Sequence, residues 1–148
     1  MQVKIDSMLS IFKEIQALNP SKDLLLSGSL ALHLQGMNLR RDPEDLDICT
    51  CYGVYKIQMP KGAIAVNATN LNTREYKIDL CQYLYKGVKI DILPTSSDIC
   101  EYRTVINSYP MLLKRYIVEC KLSHALFNTV PSTIDKHKED LMYILKHN

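Results

Sequence analysis

Apolar residues recur at Ile5, Met8, Leu9, Ile11, Phe12, Ile15 and Leu18, a spacing of three and four that predicts a helix with one face on a core. Asn19-Pro20-Ser21 stops it. Leu24–Leu26 is a short all-apolar run, as expected for a central strand covered on both sides. A Gly28-Ser29 turn follows, then a short leucine-rich helix over Leu30–Gln35 that Gly36 ends. Near Asp45 the period changes to two. Asp45 and Asp47 take one side of a strand while Leu46 and Ile48 take the core side. Tyr52–Lys61 has no clear period, Ala63–Val66 suits a short strand, and Asn67–Arg74 is polar and reads as a turn or loop. Tyr76–Tyr85, Lys86-Gly87 and Val88–Leu93 then form a strand, turn and returning strand.

After Pro94 the pattern shifts. Thr95–Arg103 reads as a polar connection, and Pro110 precedes a helical pattern through Leu112, Leu113, Tyr116, Ile117, Cys120 and Leu122, reaching Phe127. Ser132-Thr133-Ile134-Asp135 has the form of a helix-start capping box, ahead of Leu141, Ile144 and Leu145 on one side of a last helix. These elements predict an α+β fold, a mixed β-sheet flanked by helices with a C-terminal helical pair. Residues 1–94 would form a core and 95–148 a helical segment packed on it, together one compact domain. No repeat or low-complexity tract interrupts this reading.

Composition narrows the class only modestly. At 148 residues, 47% hydrophobic and 23% charged, the chain is an ordinary globular domain. It has no apolar run of the roughly 20 residues that span a bilayer and no secretory pattern at its start, so no membrane partner is expected. A net charge of +2 argues against an extended nucleic-acid footprint but leaves room for a tRNA end. The five cysteines, Cys49, Cys51, Cys81, Cys100 and Cys120, are odd in number and scattered, which points to free thiols in a reduced, cytoplasmic setting. Cys49 and Cys51 are one residue apart, but no second Cys/His pair follows at zinc-ligand spacing.

The candidate chemistry lies between Leu24 and Thr50. Glycine at the Gly28-Ser29 turn lets a ligand approach the backbone, and free N–H groups at a helix start attract anions. Asp45 and Asp47, on one strand face, would have Cα atoms roughly 7 Å apart, close enough to hold one divalent cation or a pair. Asp91 is a third acid, isolated inside the apolar strand Val88–Leu93. A carboxylate there is costly unless something neutralises it, and a cation beside Asp45 and Asp47 would do so. Asp79 competes for this place on the outgoing strand and is less favoured, while Asp42 and Glu44 read as loop acids. Arg40 and Arg41, immediately ahead of the acidic strand, could meet a triphosphate. His33 reads as a packed or surface helix residue. A phosphate cradle with clustered carboxylates is the apparatus of metal-assisted phosphoryl or nucleotidyl transfer. Without a cation, at least one of the clustered acids should have a raised pKa.

The order Gly-Ser, Asp-x-Asp and a later lone Asp resembles the DNA polymerase β-like nucleotidyltransferase superfamily over Leu24–Leu93. The text LSGSLALHLQG and RRDPEDLDI, with Lys121-Leu122-Ser123-His124-Ala125-Leu126 and Lys136-His137-Lys138-Glu139-Asp140-Leu141, looks most like AbiEii-type toxin nucleotidyltransferases and small antibiotic nucleotidyltransferases. That resemblance implies a nucleotidyltransferase-like fold and Mg2+ or Mn2+ held by Asp45, Asp47 and Asp91. It implies an NTP held by Gly28, Ser29, Arg40, Arg41 and Lys121, and an acceptor hydroxyl on tRNA, a protein or a small molecule. A toxin held by an antitoxin protein is also implied, and either Lys136 or Lys138 could be the working lysine of the last helix. The chain is shorter than most such toxins, so an acceptor-binding region could be reduced or supplied by a partner. A competing class is a non-catalytic nucleotide-sensing or partner-binding module of the same fold, which the presence of all three acids argues against.

Overall fold

A computed structural model describes the backbone of residues 1–72, 77–127 and 131–148, with the side chains of these except Tyr55, 67–80 and 123–133. Helix α1 (Gln2–Leu18) buries Ile5, Met8, Ile11, Phe12 and Ile15, the face that the apolar spacing marks. Strand β1 (Leu24–Ser27) is buried throughout and turns at Gly28 directly into α2 (Gly28–Leu34). Strand β2 (Leu46–Thr50) follows the basic loop, and a single 3-10 turn spans Val54–Lys56. Next come β3 (Ile64–Asn72), β4 (Lys77–Tyr85) and β5 (Val88–Pro94). The chain continues through α3 (Ser97–Glu101), β6 (Arg103–Ile106) and β7 (Tyr109–Leu112) to α4 (Lys114–Phe127) and α5 (Pro131–His147).

The strands form one seven-stranded mixed sheet in the order β3-β4-β5-β2-β1-β7-β6. β2 lies at its middle, antiparallel to β1 and parallel to β5. On one face of these strands Leu46, Ile48, Ile90 and Ile92 are fully buried in the same cluster as the apolar face of α1. Phe12 meets the ring of Tyr109 on β7 at 6.4 Å, and Glu14 pairs with Lys86 at the β4–β5 turn at 3.3 Å, so α1 has contacts at both flanks of the sheet's centre. Gln35, at the end of α2, donates to the Leu112 carbonyl at 2.8 Å and accepts from the Lys114 amide at 2.8 Å. It thereby ties α2 to the junction of β7 and α4.

Three expectations change. The polar stretch Asn67–Arg74 belongs to β3 as far as Asn72, paired along β4, while 73–76 lie outside the described residues. The connection after Pro94 holds a short helix, and Pro110 sits within a strand instead of preceding a helix. Proline cannot donate to a sheet ladder. It is tolerated because β7 meets β1 in register at Met111, and Pro110 faces Val105 across the β6–β7 hairpin. That hairpin turns at Asn107-Ser108, both with positive φ, as Lys86-Gly87 does. Asn-Ser is a far weaker two-residue turn signal than Asn-Gly. Residues beyond 94 thus extend the sheet itself besides supplying the two C-terminal helices.

Buried Asn19 acts as a surrogate peptide group at the end of α1. Its Nδ2 donates to the carbonyls of Ile15 (2.7 Å) and Gln58 (2.9 Å), and its Oδ1 accepts from the Gln58 amide (2.9 Å). Asn19→Ala leaves buried backbone groups unpaired and should cost about 2 kcal/mol, read as a lower urea midpoint with an unchanged m-value.

Candidate active site

The site is built by strand register. On the face opposite Leu46 and Ile48, Asp47 of β2 stands directly beside Asp91 of β5 and, on its other side, Ser27 of β1. Gln82 of β4 is the register partner of Asp91. One polar row, Gln82–Asp91–Asp47–Ser27, therefore crosses four adjacent strands. Neighbouring strands lie about 4.8 Å apart, so two acids in one row must face each other. Asp47 and Asp91 do so closely enough to hydrogen-bond side chain to side chain.

The electrostatics follow from that placement. Burial, then the charges of Asp91 and Asp45, push the Asp47 carboxyl up to about 7. Burial also raises Asp91, while Lys89 and a hydrogen bond from Gln82 hold it down. Both carboxyls are thus held above their ordinary range, as expected of two acids that cannot both ionise at contact. Asp91 Oδ1 is buried without a hydrogen-bond partner among the described residues. One step along β2, Cys49 is hydrogen-bonded to Ser27, and burial pushes its thiol up to about 12. At that value it is a neutral wall rather than a nucleophile.

Gly28 explains the turn. Its φ is +62, and a Cβ there would lie 2.0 Å from Asp47 Oδ2. Any side chain would occupy the carboxylate's place. Ser29 follows it at the start of α2, and both line a cleft of about 660 Å3 above the polar row.

The far wall of this cleft is cationic. Arg40 and Arg41, in the loop before β2, converge on buried Asp140 of α5 at 2.9 and 3.0 Å, and Arg40 also reaches Glu139 at 2.9 Å. Lys121 of α4 lies 3.8 Å from Asp140. Burial pulls the Lys121 ammonium below its ordinary value, although Asp140 and Asp47 push the other way. Burial raises the Asp140 carboxyl, but Arg40, Lys121 and Arg41 together outweigh it and hold it below the usual range. The loop is fastened to α5 a second time. Asn148 accepts from the Asn38 amide at 2.8 Å and donates to its carbonyl at 3.0 Å, while Asn38 donates to the His147 carbonyl at 3.0 Å.

Every residue singled out from the sequence (Gly28, Ser29, Arg40, Arg41, Asp45, Asp47, Asp91 and Lys121) lines this one cleft. Their grouping differs in detail. β2 begins at Leu46, so Asp45 lies in the loop just ahead of the strand and is not fixed by its ladder. Its charge still acts on Asp47 and Asp91, but no three His, Cys, Asp or Glu side chains among the described residues are placed to ligate one ion. The centre is an in-register pair with a third acid at its margin. Asp42 and Glu44, read as loop acids, are loop residues whose side chains reach the cleft, and Lys136 lines it where Lys138 does not. The side chain of Asp79 lies outside the described residues. Asp140 and Gln82 were not singled out. Asp140 belongs to the Lys-His-Lys-Glu-Asp-Leu string, which carried the signal; Gln82 is one polar residue in an apolar strand.

The fold is that of nucleotidyltransferases. The chain superposes on the "putative nucleotidyltransferase" of Thermotoga maritima with a TM-score of 0.60 and 18% identity, over 97% of this chain and 95% of that one. It superposes on an antigenic nucleotidyltransferase-like protein from Paracoccidioides brasiliensis with a TM-score of 0.53 and 14% identity, over 97% and 76% respectively. At these identities the likeness is one of architecture. The sequence matches no protein-family model and no curated protein. Among the described residues no helix is long and apolar enough to cross a membrane.

Two outcomes are expected. Asp47 titrates near 7 when folded and about 3.9 when unfolded. Its contribution to stability is therefore full below about pH 4 and lost as pH rises through 7. In EDTA, Asp47→Asn should stabilise the protein by about 2 kcal/mol or more at pH 8, by less at pH 5 and hardly at all at pH 4, measured by urea melts at the three values. Gly28→Ala, at a positive φ and with its Cβ in the place of Asp47 Oδ2, should destabilise the fold by about 2 kcal/mol or more, measured by urea melts.

Proposed function

We propose that this chain is a divalent-cation-dependent nucleotidyltransferase that moves a nucleoside monophosphate from an NTP to an acceptor hydroxyl. The observation that carries this reading is the contact pair Asp47 and Asp91, set in register beside a glycine whose missing side chain makes room for it. Two half-buried carboxylates in contact, with one oxygen of Asp91 unpartnered among the described residues, are a hard-oxygen donor set that suits Mg2+ or Mn2+. Asp47 and Asp91 would hold the ion, with Asp45 beside them. Mg2+ commonly uses one or two carboxylates and completes its shell with water and substrate phosphates, which accords with a pair in place of a trio.

A bound divalent cation supplies charge neutralisation at the phosphates and lowers the pKa of an acceptor oxygen. The remaining roles belong to the chain's own residues. The backbone at Gly28 and Ser29 admits phosphate oxygens at the start of α2. Lys121, Arg40 and Arg41 place positive charge on the opposite wall, where it would offset the triphosphate and its leaving group. In this proposal residues 1–94 bring the acids and arginines, and 95–148 bring Lys121 and the acid that orders the arginines. The likeness of the Gly-Ser, Asp-x-Asp and Lys-Leu-Ser-His-Ala-Leu text to AbiEii-type toxins supports a toxin restrained by an antitoxin protein, with a tRNA end, a protein or a small molecule as acceptor.

The test is to incubate the protein with each α-labelled NTP, Mg2+ and total RNA or cell lysate. Label should transfer from at least one NTP, and Asp47→Asn or Asp91→Asn should reduce transfer by about a hundredfold or more. No transfer together with no metal-dependent NTP binding would instead identify a non-catalytic binding module. If expression slows growth and the Asp45→Asn, Asp47→Asn double variant does not relieve it, the toxin part of the proposal fails.

A further inference from the structure

The polar row has a member on its outer side to which the reading above gives no task. Gln82 lies on β4, faces Asp91 across the β4–β5 ladder and opens onto the same cleft. Its neighbours along the strand behave otherwise. Cys81 is buried in the core, and Leu84, two residues further on the same side of β4, is 44% exposed. Among the described side chains of β4, it is Gln82 that presents hydrogen-bonding groups to the carboxylate pair.

Its chemistry fits a holder rather than a ligand. The carboxamide donates to the Asp91 carboxyl, and Asp47 meets the same group from the β2 side. Asp91 is therefore gripped from both neighbouring strands, yet its Oδ1 stays buried without a partner among the described residues. A carboxylate on a β-strand can rotate about its terminal torsion at little cost. A donor fixed on the adjacent strand removes that freedom and decides which oxygen faces the cleft. A carboxamide also does this without adding a third negative charge to the pair, as glutamate would.

We propose that Gln82 is a positioning residue for the cation site, orienting Asp91 so that Oδ1 is presented to a divalent ion. The proposal rests on the reading of Asp47 and Asp91 as the metal-holding pair. Outer partners that orient metal-ligating carboxylates typically matter by about ten- to a hundredfold in metal affinity. Because Gln82 is half-exposed, the fold should tolerate its replacement.

The experiment is a Mn2+ titration of the full chain at pH 8, following the free-ion electron paramagnetic resonance signal, for wild type, Gln82→Met, Gln82→Asn and Leu84→Ala. Gln82→Met keeps length and removes the donor. Gln82→Asn keeps the donor but shortens its reach. Both should bind Mn2+ about tenfold or more weakly than wild type, with an altered spectrum of the bound ion, while Leu84→Ala binds as wild type does. Circular dichroism melts check that each variant is folded, and either Gln82 variant alone suffices for the comparison. Wild-type affinity and spectrum in a folded Gln82 variant would overturn the positioning role and leave the metal site standing. Loss in Leu84→Ala equal to that in the Gln82 variants would also overturn it, since the effect would then be one of the strand in general. No Mn2+ binding by wild type would remove the cation site itself, and the role of Gln82 with it.

Discussion

Two carboxylates forced into contact by parallel register are the constraint from which the rest of this structure follows. Asp47 and Asp91 sit on β2 and β5, whose pairing is fixed by the buried Leu46–Ile90 and Ile48–Ile92 rows on the opposite face. A one-residue slip would turn those isoleucines toward the cleft. Hydrophobic packing on one face of the sheet therefore enforces electrostatic repulsion on the other. Burial and neighbouring carboxylates together hold both carboxyls above their usual range. The features around the pair accommodate it. Gly28 has no side chain where Asp47 must lie, Ser27 carries the row on to β1, and Cys49 closes the floor with a neutral thiol.

The cationic wall is organised by a different kind of interaction. Asp140 draws Arg40, Arg41 and Lys121 together from a loop and two helices. An exposed ion pair contributes little, but Asp140 is buried and shared among several cations. It therefore fixes their positions more than it adds to stability, since burying charges costs much of what their attraction returns. The asparagine clasp at Asn38 and Asn148 holds the same loop by neutral hydrogen bonds. The cleft in consequence sets Asp47 and Asp91 on the sheet against Arg40, Arg41 and Lys121 on the other side. That is the arrangement a metal-bound polyphosphate would bridge.

Much of this was legible in the chain because its signals were local. The alternation of Asp45, Leu46, Asp47 and Ile48 marked a strand with a chemical face, and Asp91 among Val88, Ile90 and Ile92 marked a second. The Gly-Ser turn and the spacing of α1 were equally direct. What was not legible depends on which strands become neighbours. Gln82 is a single polar residue until β4 is laid against β5, and Asp140 is a helix acid until α5 meets the arginine loop. Asp45 shows the reverse error. Alternation put it on the strand, but the ladder starts at Leu46, so it remains at the margin. The hairpin of β6 and β7 was hidden by Pro110 and by a turn made of Asn107-Ser108, where the backbone conformation and not the residue type carries the information.

The most direct measurement of the central claim is a crystal structure of the protein soaked with Mn2+ and a non-hydrolysable NTP, with anomalous data collected to locate the ion. The account predicts a manganese peak bonded to carboxylate oxygens of both Asp47 and Asp91, with the triphosphate running past Gly28 toward Lys121. A nucleotide bound elsewhere, or bound in this cleft with no manganese at the Asp47–Asp91 pair, would contradict it.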